Sequence, residues 1–477
     1  MGVCTVFQEV NEMTKYIVTT LICLMLITGA AYGVIIRVPG DQPTIQDGID
    51  AAEDGDIVLV ADAIYTGVGN KNLDFKGKAI TVTSENGAEN CIIYCEGDGR
   101  GFYFHNKENT LSVVDGFTIT NGFADYGGGI YCNNSSPTIT NNIITNNSSD
   151  YHGGGIACRT SSPTITNNIL SGNSTLDRGG GIYCVNDSSP TIMNNLISLN
   201  SAAQGGGIDC RTRSNATITN NILNGNLALS SSAGISCLDS NPKITNNILT
   251  KNSASHYGGG IGCTNNSSPT IINNTISGNL AGINGGGIVC TEESSPTVLN
   301  TILWADSPDE IYVDGSSEIN ITYSDIQGSW SGEGNIDADP LFVDPGNGDY
   351  HLQAGSPCID AGTPDGAPPT DKDGNPRDEF PDMGTYEYQG PKTGSINGTV
   401  TDRAGNPIKW ALVIAVLGET KEKDFTDSEG YYEIPDLEPG AYWVLCIKRG
   451  YKLGIRKAEV VAGEETTVNF RLREKPE

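Results

Sequence analysis

Seven copies of a six-residue block constrain this chain more than anything else in it. The block reads GGGIYC from Gly127, GGGIAC from Gly153, GGGIYC from Gly179, GGGIDC from Gly205, SAGISC from Ser232, GGGIGC from Gly258 and GGGIVC from Gly285. Successive copies lie 26 or 27 residues apart, as Ile130, Ile156 and Ile182 illustrate. A fixed period of this length signals stacked units that cannot bury their apolar faces singly. Between the blocks runs a second constant stretch, SSPTITNNIITNN in the first copy. Asn, Gly, Ser and Thr dominate, and no apolar position recurs at i, i+3, i+4, i+7, so helical repeats are excluded.

Alternation of two is present instead. Ile130 and Cys132 share a face, and Thr138 and Thr140 lie opposite Ile139. Each copy therefore reads as two or three short strands joined by tight turns. Stacking copies at about 4.8 Å lets every backbone amide pair above and below, giving seven turns a length of roughly 34 Å. The predicted fold is all-β, a right-handed parallel β-helix (solenoid) with an N-terminal capping helix, followed by a small β-sandwich.

The register predicts ladders. Asn142, Asn168, Asn195, Asn221, Asn247 and Asn274 are equivalent, as are Asn147, Asn173, Asn200, Asn226, Asn252 and Asn279; stacked amides can bond from rung to rung. The Gly triplets supply positive φ. Cys132, Cys158, Cys184, Cys210, Cys237, Cys263 and Cys290 form one column, read as a stack of free, buried thiols, because neighbouring side chains point in parallel. Cys91 and Cys95 share a face, which leaves a bond between them open.

Charge divides the chain. Of 57 acidic and 28 basic residues, giving −29 overall, residues 305–390 hold 19 acids against 2 bases, while 127–304 and 391–477 are nearly neutral. No cluster of Lys or Arg is visible, so nucleic acid is not an expected partner. The expected organisation is a signal peptide over 1–33, a cap and first rungs over 34–126, repeats over 127–304, acidic final rungs and a cap over 305–390, and the sandwich over 391–477. The uncharged run from Tyr16 to Gly33 follows Lys15 and ends in small residues, the layout of a secretory signal. Translation is expected to start at Met13, and the protein to be secreted or held at the cell surface. An uncleaved anchor is the alternative, since Val34, Ile35 and Ile36 extend the apolar run; the membrane would be met only in that way. A monomer is expected.

The opening segment RVPGDQPTIQDGIDAAEDGDIVLVADAIYTG, Arg37 to Gly67, together with VDGFTITNG, Val114 to Gly122, resembles the start of right-handed parallel β-helix proteins similar to pectate lyases and pectin esterases. The resemblance implies a capping helix at about Thr44 to Ala52 and a first strand at about Asp56 to Val60. GSINGTVTDRAGNPIKWALVIAV, followed by TDSEGYYEIPDLEPGAYWVLCIKRGY, resembles the transthyretin-like sandwich called the carboxypeptidase regulatory-like domain. No peptidase motif accompanies it, so a spacer or accessory role is implied.

Chemistry is harder to place. Uronate lyases of the first family use calcium and an Arg or Lys base, and no such motif is matched here. The candidate catalytic residues are Arg159, Arg211, His152 and Arg178, with Asp177 and an outward Asp209 nearby. Tyr126, Tyr151 and Tyr257 are candidates for stacking on sugar rings. Asp371, Asp373 and Asn375 around Gly374 look like a calcium loop lacking its usual Glu, so calcium is the one cofactor in view. The Thr-x-Thr row at 138/140, 164/166 and 217/219 also suggests an ice-binding face, interrupted at Met193, Lys243 and Ile272. The leading expectation is a surface protein that binds polysaccharide without a clear catalytic site. A polysaccharide lyase or glycoside hydrolase is the runner-up, and a purely structural rod the third. An acid or base cluster in a groove near Tyr151, Arg178 and His256 would favour the enzyme.

Overall fold

The computed structural model describes residues 33–390, 393–418 and 420–475. The expected leader lies outside these residues, apart from Gly33. From residue 35 to 326 the chain winds as a solenoid of parallel strands that form four long sheets of 12, 11, 7 and 9 strands. One turn shows the plan: Thr138–Thr140 joins the first sheet, Ile143–Thr145 the second, Ser148–His152 the third and Ile156–Arg159 the fourth. The central repeat turns thus carry four strands each, where two or three were expected. The extra strand is possible because two residues suffice for each Asn corner. Asn141 and Asn146 take φ of 55° and 53°, a conformation Asn tolerates well.

Register is kept turn after turn, so like stacks on like: Ile139 on Ile165, Cys132 on Cys158. Ile, Leu, Val and Cys fill the interior as one continuous core. Both Asn columns form the expected ladders. Asn168, for example, accepts the Asn142 amide at 3.1 Å and donates to Asn195 at 3.1 Å and to the Ile139 carbonyl at 2.9 Å. The second ladder ends on a carboxylate, Asp306 accepting from Asn279 Nδ2 at 2.9 Å. A third ladder was not foreseen: Ser135, Ser161, Ser188, Ser214, Ser240, Ser267 and Ser294 each stand one rung apart, hydroxyl to backbone N–H. The column of cysteines is fully buried, and every thiol there, like Cys91 and Cys95, is free. Thiol-to-thiol hydrogen bonding and burial together hold Cys158, Cys184 and Cys263 well above the usual thiol pKa.

At the N-terminal end, Thr44 caps a helix over Ile45–Ala51, which buries Ile45 and Ile49 against the open coil. The first strand is not Asp56 to Val60. Ile35–Val38 precedes it and pairs in parallel with Ile57–Val60, because Ile36 and Val38 face the core. After Asp325–Ile326 a hairpin, Phe342–Asp344 with Asp349–Leu352, turns the chain back. The acidic segment that follows runs along the flank of the solenoid, its backbone held by the corner asparagines Asn246, Asn273 and Asn300. Residues 394–471 form two four-stranded sheets around a separate core that includes Ile396, Tyr432, Tyr442 and Phe470.

Candidate functional site

The site follows from the residue between Ile and Cys in each repeat block. Tyr103, Tyr131, Ala157, Tyr183, Asp209 and Ser236 stack in one column on the outer side of the fourth sheet. An outward column should be wet, yet Ala157 and Asp209 are almost wholly buried, and Tyr131 and Tyr183 nearly so. The first Gly of each triplet explains this. Its positive φ, 70° at Gly153 and 67° at Gly179, folds the end of the third sheet over the next strand. A Cβ there would strike Ala157 Cβ at 2.7 Å or Tyr183 Cβ at 2.6 Å. Tyr126, His152, Arg178 and Gln204 consequently form a wall above the column, bridged one to the next.

The aromatic column is broken at one rung. Tyr103 and Tyr131 stack with centroids 5.3 Å apart and planes 3° from parallel, and Arg100 lies 4.8 Å from the Tyr103 centroid and 5.2 Å from that of Tyr131. Tyr183 resumes the column two rungs on, covered by His152 at 4.4 Å. Ala157 stands between, and the missing ring leaves a cavity of about 200 Å³ lined by Tyr126, Tyr131, His152, Arg159, Tyr183 and Asn186.

Charged groups converge beside it. His152 Nδ1 lies 3.4 Å from Asp177 Oδ2, and Arg178 Nε donates to Asp177 Oδ1 at 3.1 Å. Burial lowers the His152 pKa against the pull of Asp177, which favours a neutral imidazole. Burial pushes the Tyr131 phenol up, and the neighbouring Arg159 guanidinium partly offsets that push. Asp209 is buried so completely that its pKa rises to about 7, although Arg178 and the Ser236 hydroxyl pull the other way. An arrangement of aromatic faces, guanidinium groups and a neutral imidazole can hold a sugar ring and a negatively charged substituent.

The structure brings His152, Arg159, Arg178 and Tyr126 together and sets Tyr151 against Tyr126, with centroids 5.6 Å apart. Arg211 does not line the cavity. Tyr257 is three rungs beyond Arg178 on the same wall and also lies outside it. Arg213 binds Asp187 through both carboxylate oxygens on the exposed surface. Tyr131, Tyr183 and Arg100 were missed, although the variable letter in GGGIxC marks the first two positions.

The side chains of Asp371, Asp373 and Asn375 are engaged in hydrogen bonds within the acidic segment. Asp371 Oδ1 accepts the N–H groups of Asp373 and Asn375, and Oδ2 accepts from Asn375 Nδ2 and the Glu387 N–H. Asp373 is bound to His351 at 3.0 Å. Asp402 to Asn406 repeats the same turn with Ala404 in place of the second acid, so the spacing closes a turn there without a second carboxylate. Among the described residues no group of three His, Cys, Asp or Glu side chains is placed to hold a metal ion.

Four long parallel sheets, asparagine ladders and an external cleft define a right-handed parallel β-solenoid carrying a small β-sandwich. The chain belongs to the right-handed β-helix family, whose overlapping matches span residues 43–339. Residues 395–473 match the carboxypeptidase regulatory-like domain. No curated protein sequence matches the chain. Among solved structures it is similar to pectate lyase Pel9A, at 16% identity and a TM-score of 0.52, covering 76% of this chain and 98% of that one. Similarity extends to a PL6 family alginate lyase, AlyGC, at 13% identity and a TM-score of 0.33, over 78% of this chain and 62% of that one. The match to the Bacillus anthracis TIE protein has 23% identity and a TM-score of 0.16, and covers 17% of this chain and 16% of that protein. The likeness to Pel9A bears on the fold alone.

Proposed function

We propose that the chain binds an acidic polysaccharide in the cleft of the fourth sheet, with the rung of Ala157 as its central subsite. One observation carries this reading: the cavity opens where Ala157 interrupts the tyrosine column, and Arg159 stands at its edge. A pyranose ring can lie against tyrosine faces, while a guanidinium provides paired donors for a carboxylate or sulfate. The polysaccharide-active proteins of similar fold support a carbohydrate ligand in the coarse sense. Titration calorimetry against a panel of uronate, sulfated and neutral polysaccharides tests it. Binding is expected for acidic members and should weaken roughly tenfold or more in Arg159→Gln, the loss of a charge-assisted pair; equal binding of neutral and acidic chains would refute the role of Arg159.

Catalysis is a second reading, favoured by the His152 and Asp177 pair at the same cavity. In a uronate held by Arg159, neutral His152 would take the proton beside the carboxylate, a C=C bond would form, and the leaving glycosyl oxygen would take a proton from the Tyr131 hydroxyl. Ultraviolet absorbance of unsaturated products, measured with a chelator present, separates this from binding alone. Turnover lost in His152→Gln would establish it, and no turnover across the panel would dispose of it. Export to the cell exterior remains part of the proposal, and fractionation of the expressed protein checks it.

A further inference from the structure

The β-sandwich carries a second surface that the cleft does not explain. In its second sheet, Leu412–Leu417 lies between Thr420–Phe425 and Gly440–Ile447, and Gly454–Val460 completes the order. Val413, Ala415, Tyr442, Val444 and Cys446 point into the core, so the alternate residues point out. An outward face of an antiparallel sheet is ordinarily polar. Here Leu412 stands between Phe425 and Ile447, Leu445 beside Ile455, and Trp443 one row further on. Phe425, Trp443, Ile455 and Ile447 are 49%, 50%, 46% and 44% exposed. The opposite sheet of the same domain turns Thr399, Glu433 and Glu465 outward instead, which makes the contrast a property of one face rather than of the sandwich.

Lysines flank this apolar centre on both edge strands. Lys423 and Lys421 are paired across the sheet with Ile414 and Val416, and Lys457 with Trp443, its ammonium 4.6 Å from the indole centroid. All three are exposed, and among the described residues none is in an ion pair with a carboxylate. The register assembles this basic rim from residues scattered over 37 positions, and the sequence alone showed no cluster.

We propose that this face docks on a lipid bilayer rich in anionic headgroups. Apolar side chains with a Trp at their edge can enter the boundary between headgroups and acyl chains, while lysine stems let the ammonium groups stay at the level of the phosphates. Charge complementarity selects this occupant. A second copy placed face to face would bring together edges on which Lys421, Lys423 and Lys457 outweigh the one outward carboxylate, Glu459, and the aliphatic centre offers no hydrogen-bonding groups to sugar hydroxyls. The net charge of −29 does not oppose docking, because charges more than about 8 Å from the contact are screened at physiological salt.

Co-sedimentation of the purified protein with phosphatidylcholine vesicles, with and without about one-third phosphatidylglycerol, tests the proposal. Binding to the anionic vesicles alone is expected, falling at least roughly tenfold in K421E/K423E and on raising the salt. Trp443→Ser should weaken it as well, and both variants change exposed positions that leave the core intact. Polysaccharide binding at the cleft should be unchanged in both. Failure to bind anionic vesicles, binding that neither variant weakens, or a protein dimer that Trp443→Ser dissolves would each overturn the proposal.

Discussion

Two single residues show how far local chemistry departs from the repeat. Asp209 occupies a place where other rungs carry Tyr, Ala, Ser, Gly or Val, and burial raises its pKa from the ordinary 3.8 to about 7. In that interval the folded state holds a proton that the unfolded state has released. Stability contributed through this group is therefore full below about 4 and falls as pH rises toward 7. Asp209→Asn should raise the melting temperature at pH 8 and leave it nearly unchanged at pH 4, the gain being on the order of a few kcal/mol. Thermal melts of both proteins across that range check the sign; equal effects at both ends would contradict it. Ser232 stands where six copies of the block begin with Gly, and it adopts φ of 63°. Ser232→Gly removes strain of about 1 kcal/mol, so a small rise in the urea midpoint is expected.

Elements gain their stability from repetition. Asn195 accepts the Asn168 N–H and amide at 2.9 and 3.1 Å, and donates to the Ile165 and Met193 carbonyls and to Asn221. Asn195→Ala strands several buried partners at once and should cost roughly 3 kcal/mol or more. Urea unfolding measures it; a loss below 1 kcal/mol would mean that the ladder contributes shape rather than stability. The Asn and Cys columns were legible because identical residues recur at one phase of the period. The serine ladder was equally repetitive, yet SSP reads as a turn, and its hydroxyl bonds to the next rung appear only once the corner geometry is known. Ile35–Val38 escaped for a different reason: an apolar run that continues the expected leader has no periodicity of its own to mark where a strand starts.

For the molecule as a whole, the coil, its capping helix and the sandwich were readable from periodicity and from resemblance to known families. The cleft was not, because it depends on a Gly-directed fold of the third sheet over the fourth, and on an outward position that varies between repeats. His152, Arg159 and Arg178 were visible as charges on a neutral surface, but Tyr131 and Tyr183 passed as ordinary strand residues. The acidic loop reads two ways because Asp-x-x-Gly-Asn also closes a turn without a second acid, as the Asp402 copy does. The Lys rim was invisible for the complementary reason that two edge strands far apart in sequence assemble it.

The most direct test of the account fills the gap in the aromatic column. Ala157→Tyr would continue the stack from Tyr131 to Tyr183 with a residue the neighbouring rungs already accommodate. Titration of an acidic polysaccharide into both proteins should show binding in the original chain and a loss of roughly tenfold or more in the variant, with the melting temperature preserved. Unchanged affinity in a folded Ala157→Tyr protein would contradict the assignment of this cleft.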